Sequence, residues 1–144
     1  MDHNPCRIAA ALALALAGTT AQAFDGFGEW RGQAQYLASK HGQPAPEIQE
    51  LVPLVIRIDP DGKVVGTSTE NGCRLQGLAS PVAQNVMRVD VTFRDCTSKE
   101  LNRRLSGTVA HYPGEKRLAF SVSLIDSTAK PVTRYEISAG IMRR

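Results

Sequence analysis

The sequence predicts an all-β protein: an antiparallel up-and-down barrel of about eight strands with one disulfide. Two features indicate this fold. Short runs of alternating apolar and polar residues recur from residue 29 onwards, and Gly, Pro, Asp and Asn residues separate them. Two cysteines, Cys73 and Cys96, lie at the start and just beyond the end of neighbouring runs. A two-sheet β-sandwich built from the same strands is the alternative.

A cleavable signal peptide is predicted for residues 1–23. Arg7 precedes the apolar run 8–17, and residues 21–23 read Ala-Gln-Ala, the small-residue pattern that signal peptidases accept. That run spans only about 15 Å as a helix, against about 30 Å of membrane hydrocarbon, so it is too short for a retained anchor. We therefore expect a periplasmic or secreted protein whose residues 24–144 form a single domain.

The cysteine count supports an oxidising compartment. Cleavage removes Cys6 and leaves Cys73 and Cys96, an even number, so we expect them to form a structural disulfide. Two free buried thiols, or a redox-active pair, are the alternatives. A Cys-x-x-Cys spacing, typical of redox pairs, is absent from the sequence.

The individual strands follow from the alternation. The predicted strands are residues 29–37, 50–58, 63–69, 73–78, 86–94, 102–110, 116–125 and 132–143. In the first, Trp30, Ala34 and Tyr36 share one face, and mostly polar side chains occupy the other. Pro53 in the second strand indicates an edge or a bulge, after a turn-rich segment at 38–46. Gly62 supplies a positive φ in the turn that leads to the third strand.

The fourth and fifth strands are expected to be antiparallel neighbours. Leu75 points inward from the fourth, and Val89 and Val91 point inward from the fifth. In such a pair the start of one strand lies opposite the end of the other, which places Cys73 within reach of Cys96.

The last three strands complete the set, and they contribute Phe120 and Tyr135 to the inward phase. Spacings of about a dozen residues with short turns favour a meander. Closure into a barrel removes the exposed strand edges, which favours the barrel over the sandwich.

Two features lie at the ends of the predicted domain. Gly28-Glu29-Trp30 is a Gly-x-Trp pattern at the first strand, and Arg143 is a late basic residue on the predicted inward phase of the last strand. In these features the chain resembles calycin barrels such as lipocalins and avidins. The resemblance implies that Arg143 covers Trp30 at the closed barrel end through a cation–π contact. The alternative is that Trp30 is ordinary core and that Arg143 extends into solvent.

Charge and motifs exclude several classes of function. The net charge is +3, and the basic residues are scattered rather than interleaved with aromatics, so no nucleic-acid partner is expected. No apolar run after the signal is long enough for an integral membrane segment. Ser127-Thr-Ala-Lys130 has the Ser-x-x-Lys spacing, but in a predicted loop. His41 and His111 are expected to be solvated. We therefore expect no enzyme activity, no metal site and no cofactor.

Two non-catalytic functions remain. The first is a filled barrel that acts through its outer surface or loops, as an interaction or inhibitor-type envelope protein whose partner is an unknown protein. The alternative is a hollow barrel that carries a small apolar ligand. In that case the binding residues would be Trp30, Ala34, Tyr36, Leu75, Val89, Val91, Phe120 and Tyr135.

Overall fold

The alternating runs pair in sequence order and close on themselves. In the computed structural model, which describes residues 24–144, each strand pairs antiparallel with the next and the last pairs with the first, so the predicted up-and-down barrel is confirmed. The predicted signal peptide, 1–23, lies outside the described residues. The strands are β1 (Gly28–Lys40), β2 (Gln43–Ile58), β3 (Lys63–Ser68), β4 (Cys73–Ala83), β5 (Val86–Arg94), β6 (Arg104–Tyr112), β7 (Arg117–Asp126) and β8 (Thr133–Arg143). Short 3-10 helices, Lys99–Leu101 and Pro113–Glu115, precede β6 and β7.

The first hairpin is longer than the sequence indicated. The segment 38–46, expected to be a long turn, instead belongs largely to β1 and β2, and only His41 and Gly42 form the loop. Both have positive φ, 53° and 72°, as the two-residue turns of tight hairpins require. The pair Lys40 and Gln43 closes this turn.

Pro53 lies on a partly unpaired strand edge, as predicted. β2 pairs with β3 only from Val55 to Ile58, so the preceding part of β2 pairs with β1 alone. A proline cannot donate a backbone hydrogen bond, and an unpaired edge needs none.

Two glycines let strands approach closely inside the barrel. A Cβ on Gly77 would lie 1.9 Å from the carbonyl oxygen of Asp90, and one on Gly107 would lie 1.9 Å from that of Ser121. Both positions therefore require glycine for contact between strands, and they do not provide empty space for a ligand.

Cys73 and Cys96 form the predicted disulfide, with their Cα atoms 4.0 Å apart. The register pairs Arg74 with Arg94, so the cysteines flank the last residue pair of β4 and β5. The backbone around them is also fixed: Asn71 accepts from the Cys73 N–H, and Asn102 accepts from the Cys96 N–H. The bridge thus joins two strand ends whose backbone is also held by side-chain hydrogen bonds.

Buried polar groups at this same end have partners. The Tyr36 hydroxyl lies 2.6 Å from the Ser68 hydroxyl in the interior. Burial raises the pKa of Tyr36. Tyr135 donates to Glu100 at 3.1 Å, and the Arg103 guanidinium lies 4.5 Å from the centre of its ring.

The turn between β7 and β8 is organised by one carboxylate, and it predicts a pH dependence. Asp126 accepts hydrogen bonds from the hydroxyl and N–H of Thr128 and the N–H of Ala129, and it pairs with Arg103 at 2.9 Å. These bonds, led by the Thr128 hydroxyl, lower the pKa of Asp126 from its ordinary 3.8. Its stabilising effect is therefore fully present above the unfolded-state pKa and is lost as the pH falls through the lower folded-state value.

We expect the unfolding free energies of the native chain and Asp126→Asn to differ most near about pH 6 and to converge as the pH falls below 3.8. Urea unfolding across this range measures the difference. A difference that stays constant with pH would show that ionised Asp126 does not hold the turn.

Candidate functional site

The eight residues expected to bind a ligand in a hollow barrel lie together in the core. Their exposed fractions are only 0–3%, and all eight belong to one cluster of buried side chains. A ligand-sized cavity inside the barrel would leave accessible surface on most of the side chains that line it. These residues instead pack against one another, and the features open to a partner lie at the barrel end and on the outer wall.

Trp30 forms the floor of one barrel end. Its indole Nε1 donates to the Gly26 carbonyl at 2.7 Å, and the His111 ring packs edge-on to it at 5.3 Å. The segment before β1 covers this end: Phe24 is buried and contacts Phe27 with ring centres 5.2 Å apart. The single tryptophan of the chain therefore lies beneath a cap made by the segment that follows the predicted cleavage site.

Arg144, and not Arg143, lies over Trp30, so the predicted partner of the tryptophan is wrong by one residue. The Arg144 guanidinium is 4.7 Å from the indole centre, and it donates to the carbonyls of Asp25 and Phe27. Arg143 donates instead to the carbonyls of Glu115 and Lys116 in the turn between β6 and β7.

A bulge in β8 explains the shift. Phe120 pairs with Ala139 but Leu118 pairs with Met142, so β8 contains one residue more than β7 over this stretch. The pairing with β1 shifts in the same place. Met142 is consequently buried, whereas Ile141, which lies two residues before Arg143 and so shares its predicted inward phase, is 63% exposed. Beyond the bulge, the inward-facing positions are therefore 142 and 144, where strict alternation predicts 141 and 143.

A cavity of about 570 Å³ opens beside this end. It is lined by Asp25, Trp30, His111, Pro113, Lys116, Arg143 and Arg144. His111 Nδ1 lies 2.6 Å from an Asp25 carboxylate oxygen, and the His111 side chain is 9% exposed. The expectation that His111 is solvated is therefore wrong. Its partner, Asp25, is 86 positions away in the sequence, so no local spacing of residues could reveal the pair.

A second cavity, of about 520 Å³, lies on the outer face of β2 to β5. We call it the arginine groove, defined by Arg57, Arg74 and Arg94, whose side chains line it. Arg57 pairs with Asp59 at 3.0 Å, but Arg74 and Arg94 form no ion pair within residues 24–144. They also face each other directly across β4 and β5. Like charges at directly opposed positions destabilise a sheet.

The opposite wall of the barrel differs in charge. The register aligns Gln35, Ser138, Ser121 and Thr108 in one row across β1, β8, β7 and β6. The corresponding row through the arginine groove includes Thr67, Arg74 and Arg94. The directly opposed pair Arg74 and Arg94 thus belongs to the row that crosses the arginine groove, whereas these four positions on β1, β8, β7 and β6 carry no charge.

The remaining motifs do not assemble into a site. Ser127 and Lys130 lie in the turn between β7 and β8. Within residues 24–144, no group of three or more His, Cys, Asp or Glu side chains is placed to hold a metal ion. The same part of the chain contains no helix with the length and apolarity to cross a membrane.

The fold is known from the strand pairing alone, and no family is identified. The closed eight-stranded antiparallel barrel is compatible with a small calycin-like barrel. Searches against family models, curated proteins and solved structures found no match to the chain.

Proposed function

We propose that this protein is an exported, non-catalytic interaction protein that binds an acidic segment of a partner protein in the arginine groove. The observation that supports this most is the directly opposed pair Arg74 and Arg94, unpaired within residues 24–144 and lining a concavity of about 520 Å³. A carboxylate placed between the two guanidinium groups would form charge-assisted hydrogen bonds with both.

The shape and the border of the groove favour a protein over a polyanion or a membrane. A flat layer of lipid headgroups cannot enter a concavity, whereas a projecting loop can. Glu29 and Asp95 also line the groove, so a continuous phosphate backbone would meet negative charges at its edges. A protein segment that presents one or two carboxylates among other residues satisfies both constraints.

Export is part of the proposal. The disulfide between Cys73 and Cys96 is typical of oxidising compartments, and Phe24, the first residue after the predicted cleavage site, is buried in the barrel cap. We expect Edman sequencing of protein from the cell envelope to begin at Phe24.

The alternative function, transport of a small apolar ligand, has less support. Its expected binding residues are packed in the core, and Gly77 and Gly107 serve close contacts between strands. A carrier would need these side chains to separate, which costs the packing energy that stabilises the barrel.

A site-specific photocrosslinker tests the proposed interaction. Placed at Gln76, which lines the groove, it is expected to capture one envelope protein in living cells, whereas at Ser121 on the opposite wall it captures none. Mass spectrometry of the crosslinked peptide is expected to show Asp or Glu beside the attachment point.

Charge reversal provides the specificity control. Arg74→Glu together with Arg94→Glu is expected to abolish the crosslink, whereas Arg134→Glu, an exposed arginine on β8, leaves it unchanged. Equal capture from Gln76 and Ser121, or capture that survives the double reversal, would refute the assignment to the arginine groove.

A further inference from the structure

We infer that the cavity beside Trp30 is a binding site for a small organic oxyanion, a compound that carries a carboxylate or phosphate group on a compact apolar body. This site is separate from the arginine groove and does not depend on the proposed interaction. Its volume of about 570 Å³ lies in the range of small-molecule sites, which measure roughly 300–1,000 Å³.

The cavity gathers positive charge that the protein does not neutralise. Lys116, Arg143 and Arg144 all line it, and none of them forms an ion pair within residues 24–144. Asp25 is the only carboxylate side chain in the lining, and it is engaged by His111 at 2.6 Å. Three cations around one cavity favour an anionic ligand.

Both arginines are held by backbone carbonyls, and each guanidinium keeps N–H donors that could bind a ligand. Arg143 uses only Nη1 on the carbonyls of Glu115 and Lys116, and Arg144 uses only Nη2 on those of Asp25 and Phe27. The other N–H groups of each guanidinium make no hydrogen bond within residues 24–144. Guanidinium groups fixed by backbone contacts lose little further freedom on binding, which favours affinity.

The lining also includes an apolar part. Pro113 and Trp30 belong to the lining, and Arg144 lies over the ring of Trp30. A ligand with both a charged group and a hydrocarbon body satisfies both parts of the lining, whereas a bare inorganic anion uses only one.

The tryptophan makes the test direct, because it is the only one in the chain and it lines the site. Its fluorescence is titrated with cyclohexanecarboxylate, inorganic phosphate and the neutral cyclohexanemethanol, at constant ionic strength set with chloride. We expect a saturable change with cyclohexanecarboxylate, weaker binding of phosphate, and no saturable change with the alcohol.

Lys116→Gln is expected to weaken binding of cyclohexanecarboxylate about tenfold, through loss of one charge-assisted contact. Lys116 is exposed, in a turn with φ of 51° that glutamine adopts as readily as lysine, so the fold is retained. The matched control, Lys99→Gln, removes an exposed lysine at the other barrel end and is expected to bind as the native chain does.

Three results would overturn the inference. The first is the absence of a saturable fluorescence change with either anion, and the second is equal binding by native protein and Lys116→Gln. The third is a response only to vesicles of anionic phospholipid, with none to the soluble anions, which would identify the end of the barrel as a membrane-contact surface.

Discussion

Replacing Trp30 by alanine is expected to lower the free energy of unfolding by about 3–5 kcal/mol. Trp30 is 1% exposed, and its indole joins three parts of the barrel end: the carbonyl of Gly26, the ring of His111 and the guanidinium of Arg144. Its removal leaves a cavity and frees the cap. Because a small domain has only about 5–15 kcal/mol of stability in total, a large share of the protein is expected to unfold at moderate urea concentrations.

Far-UV circular dichroism during urea unfolding measures this loss, since the variant has no tryptophan fluorescence. Leu51→Ala is the matched control: Leu51 is also in a strand, but it is 68% exposed, and its loss is expected to cost less than about 0.5 kcal/mol. Trp30→Phe is expected to fall between the two, because it retains an aromatic ring but leaves the Gly26 carbonyl without its donor. Similar costs for Trp30→Ala and Leu51→Ala would contradict a structural role for this end.

Opening the disulfide is the second large effect, with an expected loss of about 3 kcal/mol in the double variant Cys73→Ala with Cys96→Ala. The bridge joins residues separated by 23 positions and so restricts the conformations of the unfolded chain. Its removal restores this conformational entropy to the unfolded state. Alanine is the appropriate replacement because both cysteines are buried, and a serine hydroxyl would need a new hydrogen-bond partner.

Urea unfolding with and without a reducing agent measures the contribution of the bridge. The native chain is expected to lose stability on reduction, and the double variant is expected to be insensitive to the reductant. If the native chain showed the same unfolding curve in both conditions, the bridge would not contribute to stability.

The strands were predictable because their alternation is strong and their turns are chemically distinct. The inward phase of β5 and the Gly62 turn, where φ is 89°, agree with the sequence prediction. The disulfide followed from antiparallel geometry once two cysteines lay at the joined ends of neighbouring strands.

The barrel end was predicted less well, because its details depend on irregularities that a strict alternation cannot represent. The bulge in β8 shifted the inward phase by one residue and exchanged the roles of Arg143 and Arg144. Gly140 was the available signal, since glycine inside a strand is often found at a bulge. The contact between His111 and Asp25 had no signal, because it joins segments far apart in the sequence.

The arginine groove was not predicted either. Arg74 and Arg94 occupy outward positions in their predicted strands, but only the register of β4 against β5 places them directly opposite each other. A shift of two residues in that register would preserve every inward position and separate the two charges.

The pairing of β1 with β8 has a consequence for how the protein reaches its native state. Arg31 lies opposite Arg143, so β8 closes the sheet that β1 begins. Until β8 docks, β1 and β7 each present an open edge able to pair with other chains. Loop closure over such a distance is slow. We therefore expect the unfolded chain to need protection from aggregation until β8 pairs with β1.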